Sequence, residues 1–209
     1  MALRIPDRVI VFDYGEVVSK SPSPDDQAAL LSVAGAHADE FWPAYWRHRS
    51  DLDQGVTSTT EYWTLVASDL GREYSASDVQ RLWAADFRGW ISVEPGTVDL
   101  LAELRDGGTR VALLSNAGFD FGDPFRRSPM GRYFERVFVS AELGMIKPDA
   151  AIYRHVASEL GIGLDRMVFI DNKLENVEGA TALGVTGHHF EGVEGLRGFL
   201  EGLTAEVAA

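Results

Sequence analysis

"RVIVFDYGEVVS", residues 8–19, is the stretch of sequence that decides the fold. Its apolar residues 9–12 lead directly to the carboxylate of Asp13, and Gly15 breaks the pattern two positions later. A continuous apolar run of this length is typical of a strand that is covered on both faces of a parallel sheet. The stretch therefore predicts a buried strand that ends in an acidic side chain at the sheet edge where ligands of open α/β sheets bind.

Similar apolar runs recur along the chain and alternate with helical patterns. The predicted strands are residues 9–12, 110–114, 136–139, 167–170 and 185–190. Between them, one predicted helix ends at Gly107-Gly108, one opens with Pro148 at its first helical position and closes at Gly161, and one closes at Gly184. Because strands and helices of this length alternate in βαβ units, the predicted fold class is α/β with a Rossmann-like parallel sheet as its core.

One segment interrupts the alternation. From about residue 21 to residue 91 the patterns predict four helices and no strand, and a capping box from Ser58 to Glu61 marks the start of one of them. Most of the tryptophans in this segment are expected to fill the core of a small helical bundle. The predicted organisation is a core of residues 1–15 and 93–209 with an inserted α-helical bundle cap of residues 16–92.

The composition narrows the function classes. The chain has 209 residues, no cysteine and a net charge of −13, which argues against nucleic acid or an anionic membrane as partner. A small anionic substrate stays possible because a few local cations can dominate one pocket. No apolar run approaches the roughly 18 residues of a membrane span, and the N-terminus lacks a signal-peptide pattern, so a cytoplasmic protein is expected. A homodimer is compatible with the sequence.

Polar residues follow the predicted strands at the points where a parallel sheet gathers its strand ends. They are Asp13, Ser115, Asn116, Asp171 and Asn172, with Lys147 at the predicted start of a helix. A carboxylate can act as a nucleophile, and an ammonium and a hydroxyl can bind a phosphoryl group. Two carboxylates and nearby oxygens suit Mg²⁺. Each residue alone is an ordinary turn or helix-start residue, but the ordered set predicts one reaction centre.

The ordered motifs resemble those of the haloacid dehalogenase (HAD) superfamily of aspartate-nucleophile hydrolases. In chain order the motifs are "VIVFDYGEVV" at 9–18, "LLSNA" at 113–117, "KPDAAIY" at 147–153 and "FIDNKLENVEGA" at 169–180. The helical segment resembles the cap that this family inserts after its first motif. The branch that looks most similar is a group of small bacterial phosphatases whose first motif reads D-x-G.

This resemblance implies a role for each residue. Asp13 would be the nucleophile that becomes an aspartyl-phosphate, and Lys147 would offset charge on it and on the phosphate. Ser115 and Asn116 would bind the phosphoryl group. Asp13, the Gly15 carbonyl, Asp171 and Asn172 would hold Mg²⁺. From the cap, Arg47, His48 and Arg49 are candidates for contacts with a small phosphorylated metabolite, although a solvated helix face explains them equally well.

Two positions depart from the family pattern. Family phosphatases usually carry an acid–base aspartate where this chain has Gly15, and such proton transfer is typically worth about 10²–10⁴-fold in rate. Slow turnover of ordinary alkyl phosphates is therefore expected, and Glu16 reaches the site only if the loop rearranges. Asn172 stands where an acidic residue is common, which predicts a weakened Mg²⁺ site.

These departures leave rival functions open. A metal-independent 2-haloacid dehalogenase would use the same Asp13 without the missing acid, and Arg47 and Tyr153 lie roughly where such enzymes bind halide and substrate. A non-catalytic binding or regulatory protein could keep the fold without turnover. A receiver-type domain phosphorylated on Asp13 fits poorly with the long helical insertion. Gly15 and the fourth motif match the phosphatases better than the dehalogenases.

Overall fold

The computed structural model of the chain describes residues 2–208, with side chains up to residue 204. Five strands form one parallel sheet in the order β3-β2-β1-β4-β5. They are β1 (Val9–Phe12), β2 (Arg110–Ser115), β3 (Arg136–Val139), β4 (Met167–Asp171) and β5 (Thr186–His189). The five predicted strands are thus confirmed, with ends that differ by at most one residue.

Helices connect these strands and form the insertion. In chain order they are α1 (Pro24–Ala34), α2 (Ala38–Arg47), α3 (Arg49–Asp53), α4 (Thr59–Asp69), α5 (Ala76–Trp90), α6 (Pro95–Asp106), α7 (Phe119–Arg127), α8 (Ser140–Leu143), α9 (Ala150–Leu160), α10 (Leu174–Thr181) and α11 (Val193–Ala208). None of the helices within the described part of the chain combines the length and apolarity needed to cross a bilayer.

The apolar run of β1 is continuous because both faces of the sheet are covered. Ile10 and Phe12 belong to a cluster with buried side chains of α6, α7 and α11, whereas Val9 and Val11 belong to a second cluster with α9 and α10. Successive side chains of a strand point to opposite faces, so helices on both faces demand apolar residues at every position. The α/β fold class predicted from the sequence is therefore confirmed.

Helices α1 to α5 pack around a hydrophobic cluster of their own, which includes the buried side chains of Phe41, Tyr62 and Trp63. The segment that leaves the core for the helical insertion and the segment that returns from it lie side by side, because Ser19 and Val93 form an isolated antiparallel bridge. The predicted capping box at Ser58 is present. The exact cap limits, residues 16 and 92, stay predictions.

Three expectations are corrected. The sequence pattern predicts one cap helix over residues 39–55, but the structure divides it into α2 and α3, because the backbone at His48 has φ −103° and ψ 1°. Pro148 does not open a helix, since both backbone polar groups of Lys147 bond to a side chain in another loop and α9 begins only at Ala150. Trp63 is core at 1% exposure and Trp42 packs against the same cluster, but Trp46 is 53% exposed, so the tryptophans fill the bundle core only in part.

Candidate active site

Three charged side chains meet at the carboxyl end of the sheet. Asp13 follows β1, Asp171 ends the neighbouring β4, and Lys147 comes from the loop between α8 and α9. The Lys147 Nζ lies 2.6 Å from Asp13 Oδ1 and 2.7 Å from Asp171 Oδ2. One ammonium reaches both carboxylates because neighbouring strands lie only about 4.8 Å apart. The sequence prediction that these three residues come together agrees with this geometry.

Lys147 is held on its backbone as well as on its side chain. Its ammonium donates a third hydrogen bond of 3.0 Å to the carbonyl of Leu114. The Asn116 Nδ2 donates to the Lys147 carbonyl, and the Lys147 amide donates to Asn116 Oδ1, both at 3.0 Å. Asn116, which was expected to bind substrate, thus hydrogen-bonds through its side chain to both the carbonyl and the amide of Lys147. Ser115 ends β2 beside it and is 3% exposed.

Burial and charge set the protonation of this cluster. Burial raises the pKa of Asp13 to about 6, while Lys147 opposes that rise and Asp171 adds to it. Burial alone would lower the pKa of Lys147, but the two carboxylates raise it above its ordinary value. At neutral pH Asp13 is therefore ionised beside the Lys147 ammonium, and a nucleophilic carboxylate must be ionised.

Asp171 is positioned by the start of α10. Its Oδ1 accepts the amide of Lys173 at 2.8 Å, and its Oδ2 accepts the Asn176 Nδ2 at 3.0 Å. The Tyr153 hydroxyl in turn donates to the Asn176 carbonyl at 2.7 Å, and Tyr153 is fully buried. Tyr153 therefore supports the loop, and it is absent from the cavity in front of Asp13.

The donors available to a metal ion are oxygens. Among the described residues, no group of three or more His, Cys, Asp or Glu side chains is arranged for a metal ion. A divalent ion would have to use Asp13, Asp171, the Gly15 carbonyl and the Asn172 amide oxygen. Hard oxygen ligands, two of them from carboxyl groups, fit Mg²⁺. The Asn172 Nδ2 donates to Glu16 Oε2 at 2.7 Å, which leaves the Asn172 amide oxygen for a cation.

Between the sheet edge and the helical insertion lies a cavity of about 1080 Å³. Its floor includes Asp13, Ser115 and Lys147, and its wall includes Arg49 from α3. Arg49 donates from Nη1 to the Tyr45 hydroxyl at 2.7 Å and to Asp86 Oδ2 at 3.1 Å. A substrate held here would touch both the reaction centre and the cap.

Arg47 does not join this site. Its side chain is 61% exposed and lies 2.8 Å from Asp69 Oδ2, and Arg47 does not line the cavity. The His48 Nε2 lies 2.9 Å from the same carboxylate. The solvated helix face therefore describes Arg47, whereas the His48 side chain is only 18% exposed and pairs with Asp69 outside the cavity. Of the three cap candidates, Arg49 alone lines the cavity.

Several residues of the site lacked a sequence prediction. Asp53 and Tyr45 contact Arg49 from four positions to either side of it. That spacing places residues on one helix face and could have indicated the cluster. Asp86 and Trp90 reach the cavity from α5. No local pattern identifies them, because their contacts depend on how α5 packs against α1 and α4.

Two curated relatives match along most of the chain. The sesquiterpene phosphatase astK of Aspergillus oryzae is 28% identical over 187 residues, covering 87% of this chain and 89% of the relative. The D-ribitol-5-phosphate phosphatase of Bacteroides thetaiotaomicron is 24% identical over 191 residues, covering 84% of this chain and 87% of the relative.

Solved structures share the fold. A HAD family enzyme from Bacteroides thetaiotaomicron, solved with magnesium and inorganic phosphate, has a TM-score of 0.67 at 21% identity and covers 87% of this chain and 92% of that chain. A 2-haloacid dehalogenase from Pseudomonas syringae has a TM-score of 0.62 at 17% identity, and the match covers 86% of this chain and 84% of the dehalogenase chain. Residues 10–184 match the model of the haloacid dehalogenase-like hydrolases. The chain therefore belongs to this family of hydrolases and is an enzyme of that class.

Proposed function

We propose that this hydrolase cleaves phosphomonoesters through an aspartyl-phosphate on Asp13, with Mg²⁺ as cofactor. The observation that carries the proposal is the buried Lys147, whose ammonium contacts both Asp13 and Asp171 on the floor of the cavity. A fixed positive charge beside an ionised carboxylate suits a reaction in which negative charge gathers at both the nucleophile and the phosphoryl group.

In the first step an oxygen of Asp13 forms a bond to phosphorus while the bond between phosphorus and the ester oxygen breaks. The departing oxygen keeps the electron pair and takes a proton from water, which yields the alcohol. Lys147 stabilises the charge on the transferring phosphoryl group, and the Ser115 hydroxyl donates to one of its oxygens. Asn116 contributes indirectly, because it fixes the lysine backbone.

In the second step a water oxygen bonds to phosphorus and the bond to Asp13 breaks. The water proton passes to solvent, inorganic phosphate leaves, and the carboxylate is regenerated. No side chain is present at Gly15 to take the proton from this water. We therefore expect slow turnover, because positioned general acid–base groups typically contribute about 10²–10⁴-fold.

Mg²⁺ would be held by Asp13, Asp171, the Gly15 carbonyl and the Asn172 amide oxygen. When bound, it neutralises charge on the phosphoryl oxygens. A neutral amide in place of a carboxylate weakens the attraction for the cation, so a low affinity is part of the proposal. The structure of a family member with magnesium and phosphate supports this choice of ion.

The relatives support a small phosphorylated substrate but differ in its chemistry. One is named for a sesquiterpene, which is apolar, and the other for ribitol 5-phosphate, which is a polyol. The dehalogenase alternative has less support from the site. Of its two expected binding residues, Tyr153 is buried under the loop and Arg47 pairs with Asp69 away from the cavity.

A panel of phosphomonoesters and 2-haloacids, each assayed with Mg²⁺ and with EDTA, tests the proposal. Phosphate release that needs Mg²⁺ and is lost in Asp13→Asn is the expected result. Halide release that EDTA does not affect would instead identify a dehalogenase. Binding of phosphate esters without any turnover would identify a regulatory protein that kept the fold.

A further inference from the structure

The cavity in front of Asp13 has an aromatic wall that phosphoryl transfer itself does not require. Four of the five tryptophans of the chain line it, together with two phenylalanines and Ile91. These wall residues are Trp42, Trp46, Trp83, Phe87, Trp90, Ile91 and Phe121. Trp46 and Ile91 are each 53% exposed. Large apolar side chains that stay exposed inside a concavity mark a binding surface.

Three charged groups of the cavity wall, Arg49, Asp53 and Asp86, are satisfied by one another. Arg49 donates from Nε to Asp53 Oδ1 at 3.1 Å and from Nη1 to Asp86 Oδ2 at 3.1 Å. The hydroxyl of Tyr45 donates to Asp86 Oδ1 at 2.8 Å and accepts from Arg49. This network is complete without a ligand, so it does not require the hydroxyl groups of a polyol. A site that selects a polyol holds polar groups that only the substrate's hydroxyls satisfy. The wall of this cavity instead offers aromatic surface.

We infer that the alcohol part of the substrate is an extended hydrocarbon, so that the substrate is the phosphomonoester of a long apolar alcohol. This inference rests on the proposed phosphatase function and names its substrate class. The phosphate end would lie at Asp13 and Lys147, and the hydrocarbon would lie along the aromatic wall. A cavity of about 1080 Å³ has room for such a chain in addition to a phosphate.

The test is a series of butyl, hexyl, octyl and decyl phosphates, assayed with Mg²⁺ below their critical micelle concentrations. The four primary alcohols are equally good leaving groups, so differences in kcat/KM between these esters report how well the alkyl group binds. Burial of one methylene on the wall is expected to raise kcat/KM about two- to fourfold. Glycerol phosphate and ribitol phosphate serve as polar substrates and are expected to react more slowly than decyl phosphate.

Two variants test whether the hydrocarbon part of the substrate lies along the aromatic wall. Trp46→Ala is expected to lower kcat/KM for decyl phosphate about tenfold and to flatten the dependence on chain length. Ile91→Ala, the second exposed wall position, is expected to act in the same direction and serves if Trp46→Ala does not fold. Leu65→Ala is the control, because it removes an exposed leucine of α4 that lies outside the cavity. This variant should show the same dependence of kcat/KM on alkyl length as the parent protein.

The outcomes separate the two proposals. A flat chain-length series, with glycerol or ribitol phosphate cleaved as fast as decyl phosphate, overturns the hydrocarbon inference and leaves the phosphatase intact. A steep series that persists in both Trp46→Ala and Ile91→Ala overturns the assignment of the wall. Phosphate release from none of the esters overturns the proposed function and this inference together.

Discussion

Asp13 Oδ1 accepts a 2.6 Å hydrogen bond from Lys147 Nζ across 134 residues of sequence. Asp13 is 7% exposed and Lys147 is 4% exposed, so little water competes for either group. The contact engages one carboxylate oxygen and leaves the other, Oδ2, beside Gly15. Because charged hydrogen bonds with little water around them hold their geometry, Lys147 fixes the orientation of the Asp13 carboxylate.

Removal of the Asp13 charge should abolish turnover without loss of the fold. Asp13→Asn keeps the size of the side chain, and Lys147 retains its contacts with Asp171 and the Leu114 carbonyl. We expect phosphate release to fall by at least about 10³-fold, because an amide does not replace a carboxylate nucleophile. Phosphate release under saturating substrate measures the effect, and an unchanged circular dichroism spectrum shows that the fold is kept. Activity within tenfold of the parent would exclude Asp13 as nucleophile.

Removal of the Lys147 charge should destabilise the protein. Lys147→Met leaves Asp13 and Asp171 buried and without their shared cation. We expect the free energy of unfolding at pH 7 to fall by about 3–5 kcal/mol, the usual loss when one partner of a buried ion pair is removed. Urea denaturation measures it. The double variant Lys147→Met with Asp13→Asn is the control, and it should be more stable than Lys147→Met alone because one buried charge is gone.

Gly15 is the position at which a single substitution should increase activity. An added Cβ would lie 3.8 Å from Trp90 Cζ3 and 3.9 Å from Asp13 Oδ2, which are ordinary contacts. Gly15→Asp places a carboxyl group where it can protonate the departing oxygen and later deprotonate water. We expect kcat for alkyl phosphates to rise on the order of 10²-fold. The gain should be smaller for p-nitrophenyl phosphate, whose leaving group needs little protonation.

Gly15→Asn is the matched control for this gain, because it has the same size but transfers no proton. It should leave kcat for alkyl phosphates near or below that of the parent protein. An equal increase in both variants would mean that the added side chain acts by shape and would contradict the proton-transfer explanation.

Asn172 should set the affinity for Mg²⁺. Asn172→Asp adds a negative ligand, which should lower the Mg²⁺ concentration for half-maximal activity roughly tenfold, since ligand charge tunes divalent-ion affinity. Without Mg²⁺ the same change puts a carboxylate where the Asn172 Nδ2 now donates to Glu16 at 2.7 Å, so the melting temperature should fall. Melting curves with and without Mg²⁺ measure both effects, and a melting temperature that Mg²⁺ does not raise would argue against this cation site.

Asp53 should make stability depend on pH below neutrality. Burial raises the pKa of Asp53 to about 6, although Arg49 opposes the rise. The unfolded chain loses this proton near pH 4, so between about pH 4 and 6 the folded state binds more protons. This carboxyl therefore lowers the free energy of unfolding as pH rises through that window, by about 3 kcal/mol in all. Asp53→Asn should remove this contribution in urea titrations at pH 4 and pH 7. The control is Asp51→Asn at an exposed position on the same helix, and an equal effect of both substitutions would contradict the assignment to Asp53.

Much of the core was predictable because its signals are local. Four apolar runs and a weaker fifth pattern marked the strands, and parallel strands bring their carboxyl ends to one edge, so Asp13 and Asp171 had to lie close together. Gly161 ends α9 with a φ of 67°, as the sequence indicated, because a glycine adopts the left-handed conformation without strain. The short α7, with Gly122 and Pro124 inside it, had no such signal.

The sequence by itself determined the parallel sheet, the insertion of helices after its first strand, and the set of Asp13, Lys147 and Asp171. Only the tertiary structure decided that Arg49 lines the cavity while Arg47 faces Asp69. The physical reason is that apolar periodicity identifies strands and helices one at a time. The side of a helix that faces the active site depends on how the cap packs on the core, and that packing joins residues far apart in the chain.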